Sequence, residues 1–212
     1  MENQNEPPKK RDKKVWIIVV ALFIMFIIVG VYQSQSVPTQ PKPVAQAVPS
    51  EKKDDQREII QSIFDTSKKM LERSSTMLYN ITSVKSLPRT PELYNLLKED
   101  EDYFKRISAK IIEAKTSAKG SLGEDIDKAL DELSNASDIH WNIDSDLANY
   151  INTGDLEYQR KATEEINKNP TALILTAISR INLVAEKSGM DSEAMKQEII
   201  NLQQKIKQDV KK

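Results

Sequence analysis

An unbroken run of 18 uncharged, mostly apolar residues occupies positions 15–32, VWIIVVALFIMFIIVGVY. As a helix it would be about 27 Å long, at about 1.5 Å per residue, close to the ~30 Å thickness of a bilayer's hydrocarbon core. Trp16 and Tyr32 stand near its two ends, where amphipathic rings favour the headgroup region. The run therefore predicts a transmembrane helix, and the membrane is an expected partner of the chain through residues 15–32.

The charges on either side of this run predict its orientation. Residues 1–14 contain a basic cluster, KKRDKK, whereas only Lys42 is charged between the run and Glu51. Positive residues favour the cytoplasmic side, so we expect a cytoplasmic tail and a C-terminal domain outside the cytoplasm. The alternative is a signal peptide cleaved near Ser36, which would release a secreted protein. Because the run is longer than the 7–15 residues of a signal peptide's apolar region, a retained anchor is favoured.

Residues 33–50 predict an extracytoplasmic stalk. Four prolines lie among small and polar residues in the sequence QSQSVPTQPKPVAQAVPS. Proline fixes φ and lacks a backbone donor, so neither a helix nor a strand is expected. Fully extended, the segment would reach roughly 55 Å, at ~3.1 Å per residue.

Residues 51–212 carry apolar residues at helical spacing and no strand-like alternation. The pattern predicts helices at about 52–86, 91–118, 123–151, 155–187 and 191–210. Each stripe is about three positions in seven wide, which is typical of a helix packed in a bundle. In the first helix the heptad track includes the polar residues Ser67 and Ser74.

Capping residues and glycines mark the helix ends. Thr90 precedes Pro91 at the second helix, Asp191 precedes the last one, and the Ser121–Glu124 spacing indicates a capping box for the third. Pro170 lies inside the fourth helical segment, so a kink or a break is expected at 169–170.

The fold class predicted from these signals is all-α. A single N-terminal transmembrane helix and a Pro-rich stalk precede an antiparallel up-down four-helix bundle with a short fifth C-terminal helix. The alternative is an elongated, hairpin-rich coiled coil that completes its core by forming a homo-oligomer.

Composition excludes several kinds of site. The chain has no Cys, one His and five Gly, so disulfides, thiol chemistry, a multi-histidine metal site and a glycine-rich phosphate loop are not expected. Residues 51–212 contain 25 Lys and Arg against 29 Asp and Glu, a balance of −4. This is not the basic surface that nucleic-acid binding needs. We therefore expect no nucleic-acid partner, no cofactor and no metal.

The single histidine is the main candidate for a functional site. His140 lies on the apolar stripe of the third helix, and Asp100 lies on that of the second. Folding these helices back on each other places position 100 opposite about 142, so we expect Asp100 and His140 to be neighbours, with Tyr103 close by. Asp144, four residues after His140, is a second possible partner. The pair is interpreted as a buried contact that sets helix register, or as a pH-sensing or ligand-contacting site.

Two acidic patterns resemble cation sites only superficially. In Glu99-Asp100-Glu101-Asp102, consecutive residues point in different directions around a helix, and Glu101 can pair with Lys105 and Asp102 with Arg106. The segment from 142 to 153 has the Asn-x-Asp-x-Asp opening of a calcium loop but lacks its glycine and its final glutamate. A solvated helix face and a plain helix are the favoured interpretations.

The order of basic tail, single span, stalk and outer helical bundle resembles that of many bacterial envelope proteins. The bundle also resembles the four-helix sensor domain of chemoreceptors, although the sequence contains no second apolar span. The sequence predicts a non-enzymatic, single-pass, membrane-anchored extracytoplasmic module for protein–protein interaction or scaffolding, with the last helix as the first docking candidate. The alternative is a ligand- or pH-sensing bundle with a polar pocket around His140 and Asp100, acting through a partner protein.

Overall fold

The computed structural model describes residues 50–83, 86–118 and 123–209. Within these ranges the chain is helical and contains no strand, which confirms the all-α prediction for this part of the chain. The helices are α1 Ser50–Thr82, α2 Pro91–Ala118, α3 Glu124–Thr153, α4 Leu156–Asn167, α5 Pro170–Lys187 and α6 Ser192–Asp209.

The predicted tail at 1–14, the transmembrane helix at 15–32 and the stalk up to residue 49 lie outside the described residues. Among the helices that are described, none combines the length and the apolar character needed to cross a bilayer.

Several helix ends follow from their sequence signals. The Thr90 hydroxyl accepts a hydrogen bond from the Leu93 N–H at 3.3 Å, and the Asp191 carboxylate accepts one from the Ala194 N–H at 2.9 Å. Both predicted caps are thereby confirmed. At α3 the N-cap residue is Gly123, without a side-chain cap, and Ser121 of the predicted capping box lies outside the described residues.

Pro170 divides the fourth helical segment into α4 and α5. Asn169 adopts a left-handed conformation with φ of 55°, and its side chain accepts a hydrogen bond from the Ala172 N–H at 3.3 Å. Proline lacks an N–H and disfavours right-handed helix in the residue before it, so one helix ends and another begins. The sequence predicted a kink or a break at 169–170, and the structure shows a break.

Pairs of side chains define how the helices run. Ser108 contacts Asp138 and Lys115 pairs with Asp131, so α2 and α3 are antiparallel neighbours. Helices α3 and α5 are also antiparallel neighbours, because Arg180 pairs with Glu132 at 3.0 Å and Lys187 pairs with Asp125 at 2.9 Å. Since α3 packs against α2, α4 and α5, it is the central helix of the bundle.

Helix α1 completes the bundle by packing against α5 and α6. Arg57 donates to the backbone carbonyl of Ser188, and Ser74 contacts Thr171, so α1 runs antiparallel to α5. Two ion pairs, Lys68–Glu198 and Glu72–Lys205, advance together along both chains and show that α6 runs parallel to α1.

Most residues predicted for the apolar stripes form the core. They divide between two hydrophobic clusters. The largest fully buried side chains are Ile60, Phe64, Met70, Leu71, Leu97, Phe104, Ile126, Leu130, Leu133, Ile143, Leu147 and Ile174. The two stripe serines, Ser67 and Ser74, are also completely buried. Ser67 satisfies its hydroxyl by donating to the Ile63 carbonyl at 2.8 Å, as a helical serine can do without a partner helix.

The apolar stripe of α6 is used within the chain itself. Met195 and Ile199 are buried in the larger cluster, and Leu202 packs against the same cluster. The stripe is therefore packed within the chain, and the docking role of the last helix stays a prediction.

Candidate functional site

His140 lies at the meeting point of three helices. Its side chain is completely buried on α3, and Nε2 is 2.6 Å from the Ser74 hydroxyl of α1. That hydroxyl is in turn 2.9 Å from the Thr171 hydroxyl of α5. The three side chains form a short polar chain that connects α3, α1 and α5.

Burial holds the histidine in its neutral form. It lowers the pKa of His140 to about 3, since a charged imidazole is poorly solvated away from water. The ring stacks on Phe104 with centroids 4.3 Å apart and planes inclined by 12°. Nδ1 has no hydrogen-bond partner among the described residues. At neutral pH the side chain is therefore an uncharged packing and hydrogen-bonding group.

Asp100 contacts a different residue from the one predicted. Its buried carboxylate forms an ion pair with Nε of Arg73 on α1, and among the described residues it makes no hydrogen bond or ion pair with His140. The residue of α2 that faces His140 is Phe104, one helical turn further along. The predicted Asp100–His140 contact is absent from the described hydrogen bonds and ion pairs because the register of α2 and α3 places Phe104 opposite His140. Burial raises the pKa of Asp100, and the bond to Arg73 opposes that shift.

Tyr103 belongs to the Arg73–Asp100 contact. The guanidinium carbon of Arg73 lies 4.4 Å from the centroid of the Tyr103 ring, a cation–π arrangement. The ring also meets Phe104 edge to face, with centroids 5.1 Å apart. Burial raises the pKa of Tyr103. Phe104, in contact with both Tyr103 and His140, thus joins the ion pair to the histidine through packed rings.

Asp144 is the least satisfied group of the site. It is completely buried, and neither carboxylate oxygen has a hydrogen-bond partner among the described residues. Burial raises its pKa to about 9, and the negative charges of Asp100 and Glu101 add to the shift. The side chain is therefore protonated at neutral pH, and among the described residues it makes no hydrogen bond with the His140 imidazole.

The acidic run 99–102 differs from a uniformly solvated face. Asp100 is buried, and Glu101 is partly buried. Glu101 pairs with Lys98 and accepts a hydrogen bond from Trp141 Nε1 at 3.2 Å. The predicted Glu101–Lys105 pair is wrong, because Lys105 lies instead over the Trp141 ring, 5.2 Å from its centroid.

Three contributors to the site were missed by the sequence analysis: Arg73, Ser74 and Thr171. Ser74 carried a signal, because it occupies a heptad position where an apolar residue is usual. A serine there indicates a buried hydroxyl that needs a hydrogen-bond partner, which is a carbonyl of its own helix at Ser67 and a group on another helix at Ser74. Arg73 and Thr171 carried no such signal, since their roles depend on how α1, α2 and α5 are placed.

A groove runs between α1 and α2, and the Arg73–Asp100 pair is part of its lining. It has a volume of about 680 Å³, and its lining residues do not include His140. Charged side chains occupy one end, where they are Lys69, Glu72, Arg73 and Asp100. Mostly apolar side chains line the rest, namely Thr76, Met77, Asn80, Ile81, Leu87, Pro88, Leu93, Leu96 and Leu97.

The residues around His140 and the groove differ in how open they are to another molecule. The histidine is neutral and enclosed, and its hydroxyl partner Ser74 is completely buried. Among the described residues no group of three or more His, Asp or Glu is placed to hold a metal ion. Among the described residues, the groove is open to another molecule. The buried residue Asp100 is part of the lining at its charged end.

Comparisons with known proteins give no match. No protein-family model, no curated protein and no solved structure is significantly similar to this chain. The proposed function therefore rests on the residues and their geometry alone.

Proposed function

We propose that this chain is a non-enzymatic, membrane-anchored ligand-binding module whose helical domain takes up its ligand in the groove between α1 and α2. The observation that carries the proposal is the groove itself. Its volume of about 680 Å³ lies within the ~300–1,000 Å³ typical of small-molecule sites. It also combines apolar walls with a few charged groups, the usual composition of such sites.

The position of the groove supports a sensing role. Arg73 lines the groove, and the next residue along α1, Ser74, hydrogen-bonds to His140. A ligand that moved Arg73 would therefore act on a residue adjacent to the contact that joins α1 to α3 and α5. A ligand shifts the helices from one arrangement to another only if it binds the two arrangements with different affinity. A partner protein would then respond to the new arrangement.

The cellular placement follows from the sequence outside the described residues. We propose that residues 15–32 span the cell membrane once, with the N-terminus in the cytoplasm and the helical domain outside it. The stalk would then hold the groove away from the bilayer. Signalling to the cytoplasm would require a protein partner.

A photo-crosslinking experiment in native membranes tests the groove as the binding surface. A photoreactive amino acid replaces Leu96, which lines the groove and is 46% exposed. The matched control replaces Ile112, which is 55% exposed on the same helix but does not line the groove. We expect adducts at position 96 that are absent at position 112, identified by mass spectrometry. The same adducts at both positions, or none at position 96, would contradict the proposal.

A second candidate function is a protein-interaction module that uses the same surface. The observation favouring it is that two helices form the walls and that Leu96 is exposed beside them, a geometry in which a partner's amphipathic helix can dock. In the crosslinking experiment this candidate gives a protein conjugate at position 96, whereas a ligand gives an adduct of small mass.

A further inference from the structure

We infer that the ligand of the α1–α2 groove is an amphipathic anion. Its apolar chain would lie along the groove, and its single negative head group, such as a carboxylate, would bind Lys69 and Arg73. This inference rests on the proposed function, because it names the ligand class of the same groove.

The charges at the polar end leave one cation without a partner. Glu72 pairs with Lys205 at 2.8 Å, and Asp100 pairs with Arg73. Lys69 makes no hydrogen bond or ion pair with any of the residues that the structure describes. Each of these two pairs has no net charge, so the positive charge of Lys69 is the one that remains at this end of the groove.

Arg73 adds hydrogen-bond donors to that charge. Only its Nε is engaged, by Asp100, so both Nη nitrogens of the guanidinium group remain unused within the described residues. The side chain is 35% exposed, and a ligand can therefore reach them. Lys69 and Arg73 are four residues apart on α1 and so lie on the same face. Together they offer the ammonium group of Lys69 and the two Nη nitrogens of Arg73 to one anionic group.

The remainder of the groove suits an apolar chain. Between Arg73 and Ile81 the α1 wall extends about 12 Å, at about 1.5 Å per residue. Met77, Leu93 and Leu97 line this stretch. An acyl chain of medium length fills such a stretch and is removed from water there, which is favourable in proportion to the apolar area buried.

The shape favours a small amphiphile over a partner's helix. The Arg73–Asp100 ion pair joins the α1 wall of the groove to its α2 wall. A docked helix continues past the apolar side chains that anchor it, so it needs a groove open at both ends. A ligand that ends in a charged head group needs only one open end.

The test uses the full-length chain in lipid nanodiscs with a photoreactive analogue of dodecanoate. We expect labelling in the peptides that carry residues 69–81 and 87–97. Unlabelled dodecanoate should compete, whereas dodecyltrimethylammonium, with the same chain and a positive head, should not. Because the lipid of the nanodisc absorbs both amphiphiles, the decisive comparison is between the labelling of protein variants in identical nanodiscs.

Two charge reversals of exposed lysines provide the matched variants. Lys69→Glu should reduce labelling about tenfold or more, because the reversal removes a charge-assisted contact and places a negative charge beside the anionic head group. Lys110→Glu, on the exposed face of α2 outside the groove, should leave labelling unchanged. Both substitutions are on exposed side chains, and circular dichroism checks that the helices are retained.

The results separate failure of this inference from failure of the proposed function. Labelling spread evenly over the helices, equal competition by the cationic amphiphile, or no change in Lys69→Glu would overturn the anionic ligand. If position 96 still captures an adduct that position 112 does not, the groove remains a binding surface and only the ligand class is wrong. A protein conjugate at position 96 would replace the amphiphile with a partner helix.

Discussion

The Ser74 hydroxyl lies 2.6 Å from Nε2 of His140, so the histidine's buried partner is a serine on α1 and not an acid on α2. A hydroxyl can donate to or accept from a neutral imidazole, but it does not stabilise a charged one as a carboxylate would. The contact therefore suits a ring that stays neutral. It also ties α1 to the central helix α3.

Replacing His140 with glutamine should reduce the loss of stability in acid. The folded pKa of about 3 is below the ordinary value of 6.5, so the unfolded chain binds the proton first as the pH falls. The stabilisation is complete above pH 6.5 and is lost progressively down to pH 3, at about 1.4 kcal/mol per pH unit. Between pH 7.5 and 5 the wild type should lose about 2 kcal/mol more than His140→Gln. Urea unfolding at a series of pH values measures the difference.

Thr171→Val is the control for that experiment. It removes the far end of the same hydrogen-bonded chain but leaves the titrating ring in place. Its free energy of unfolding should fall by about 1 kcal/mol at every pH, with the acid slope of the wild type retained. An acid slope in His140→Gln equal to that of the wild type would show that His140 is not a buried neutral group.

Asp144→Asn should stabilise the protein at alkaline pH. The folded pKa of about 9 lies above the ordinary value of 3.8, so the folded state holds a proton that the unfolded state releases. That stabilisation is complete below pH 3.8 and is lost as the pH rises to 9. Because the amide does not titrate, the variant should be more stable than the wild type by roughly 1–3 kcal/mol at pH 8.

Thermal unfolding at pH 5 and pH 8 tests the Asp144 prediction, with Asp102→Asn as the control on an exposed acid of the neighbouring helix. The advantage of Asp144→Asn over the wild type should grow between the two pH values, while that of Asp102→Asn should not. Equal behaviour of the two variants would place Asp144 in contact with water.

Asn169→Ala should destabilise the break between α4 and α5 more than Asn169→Gly. Both substitutions remove the side-chain cap on the Ala172 N–H. Alanine in addition has to adopt a φ of 55°, which is unfavourable for a residue with a Cβ, whereas glycine adopts it readily. We expect a loss of about 1–3 kcal/mol for alanine and a few tenths for glycine. Chemical denaturation of the two variants measures the order, and a larger loss for glycine would contradict it.

Gly154→Ala should destabilise the end of α3 more than Gly123→Ala destabilises its beginning. Both glycines have positive φ, 77° and 88° respectively. A Cβ at position 154 would stand 2.5 Å from Nη1 of Arg89, whereas no described atom lies within 4 Å of one at position 123. Arg89 also donates to the Ile151 carbonyl at 2.9 Å, and moving it would break that bond.

The two glycine variants share the conformational penalty, so their difference isolates the arginine contact. We expect a loss of about 1 kcal/mol for Gly123→Ala and about twice that for Gly154→Ala. Melting temperatures of the two proteins give the comparison, and equal losses would show that Arg89 moves aside freely.

Helix positions and most of the core were predictable from the sequence, because each depends on neighbours within one helix. The caps at Thr90 and Asp191 and the break at Pro170 are local backbone effects. The heptad stripes predicted the buried residues for the same reason, since apolar spacing alone decides which face of a helix turns inward.

The site was predictable only in its membership. The sequence placed His140, Asp100, Tyr103 and Asp144 on inward-facing or adjoining positions, and three of them are fully or almost fully buried. It did not predict their partners, because a shift of about one turn along α2 places Phe104 instead of Asp100 opposite the histidine. Spacing along one helix does not define the offset between two helices to that accuracy.

By itself, the sequence determined that the described residues between 50 and 209 form amphipathic helices ended by capping residues, glycines and prolines, since periodicity and backbone chemistry act locally. The tertiary structure alone decided that Arg73 neutralises Asp100, that Asp144 is left among other acids, and that α1 and α2 enclose a groove. These relationships join residues on different helices. They depend on the packing of whole helix faces, in which the offset of each pair is set by all the others.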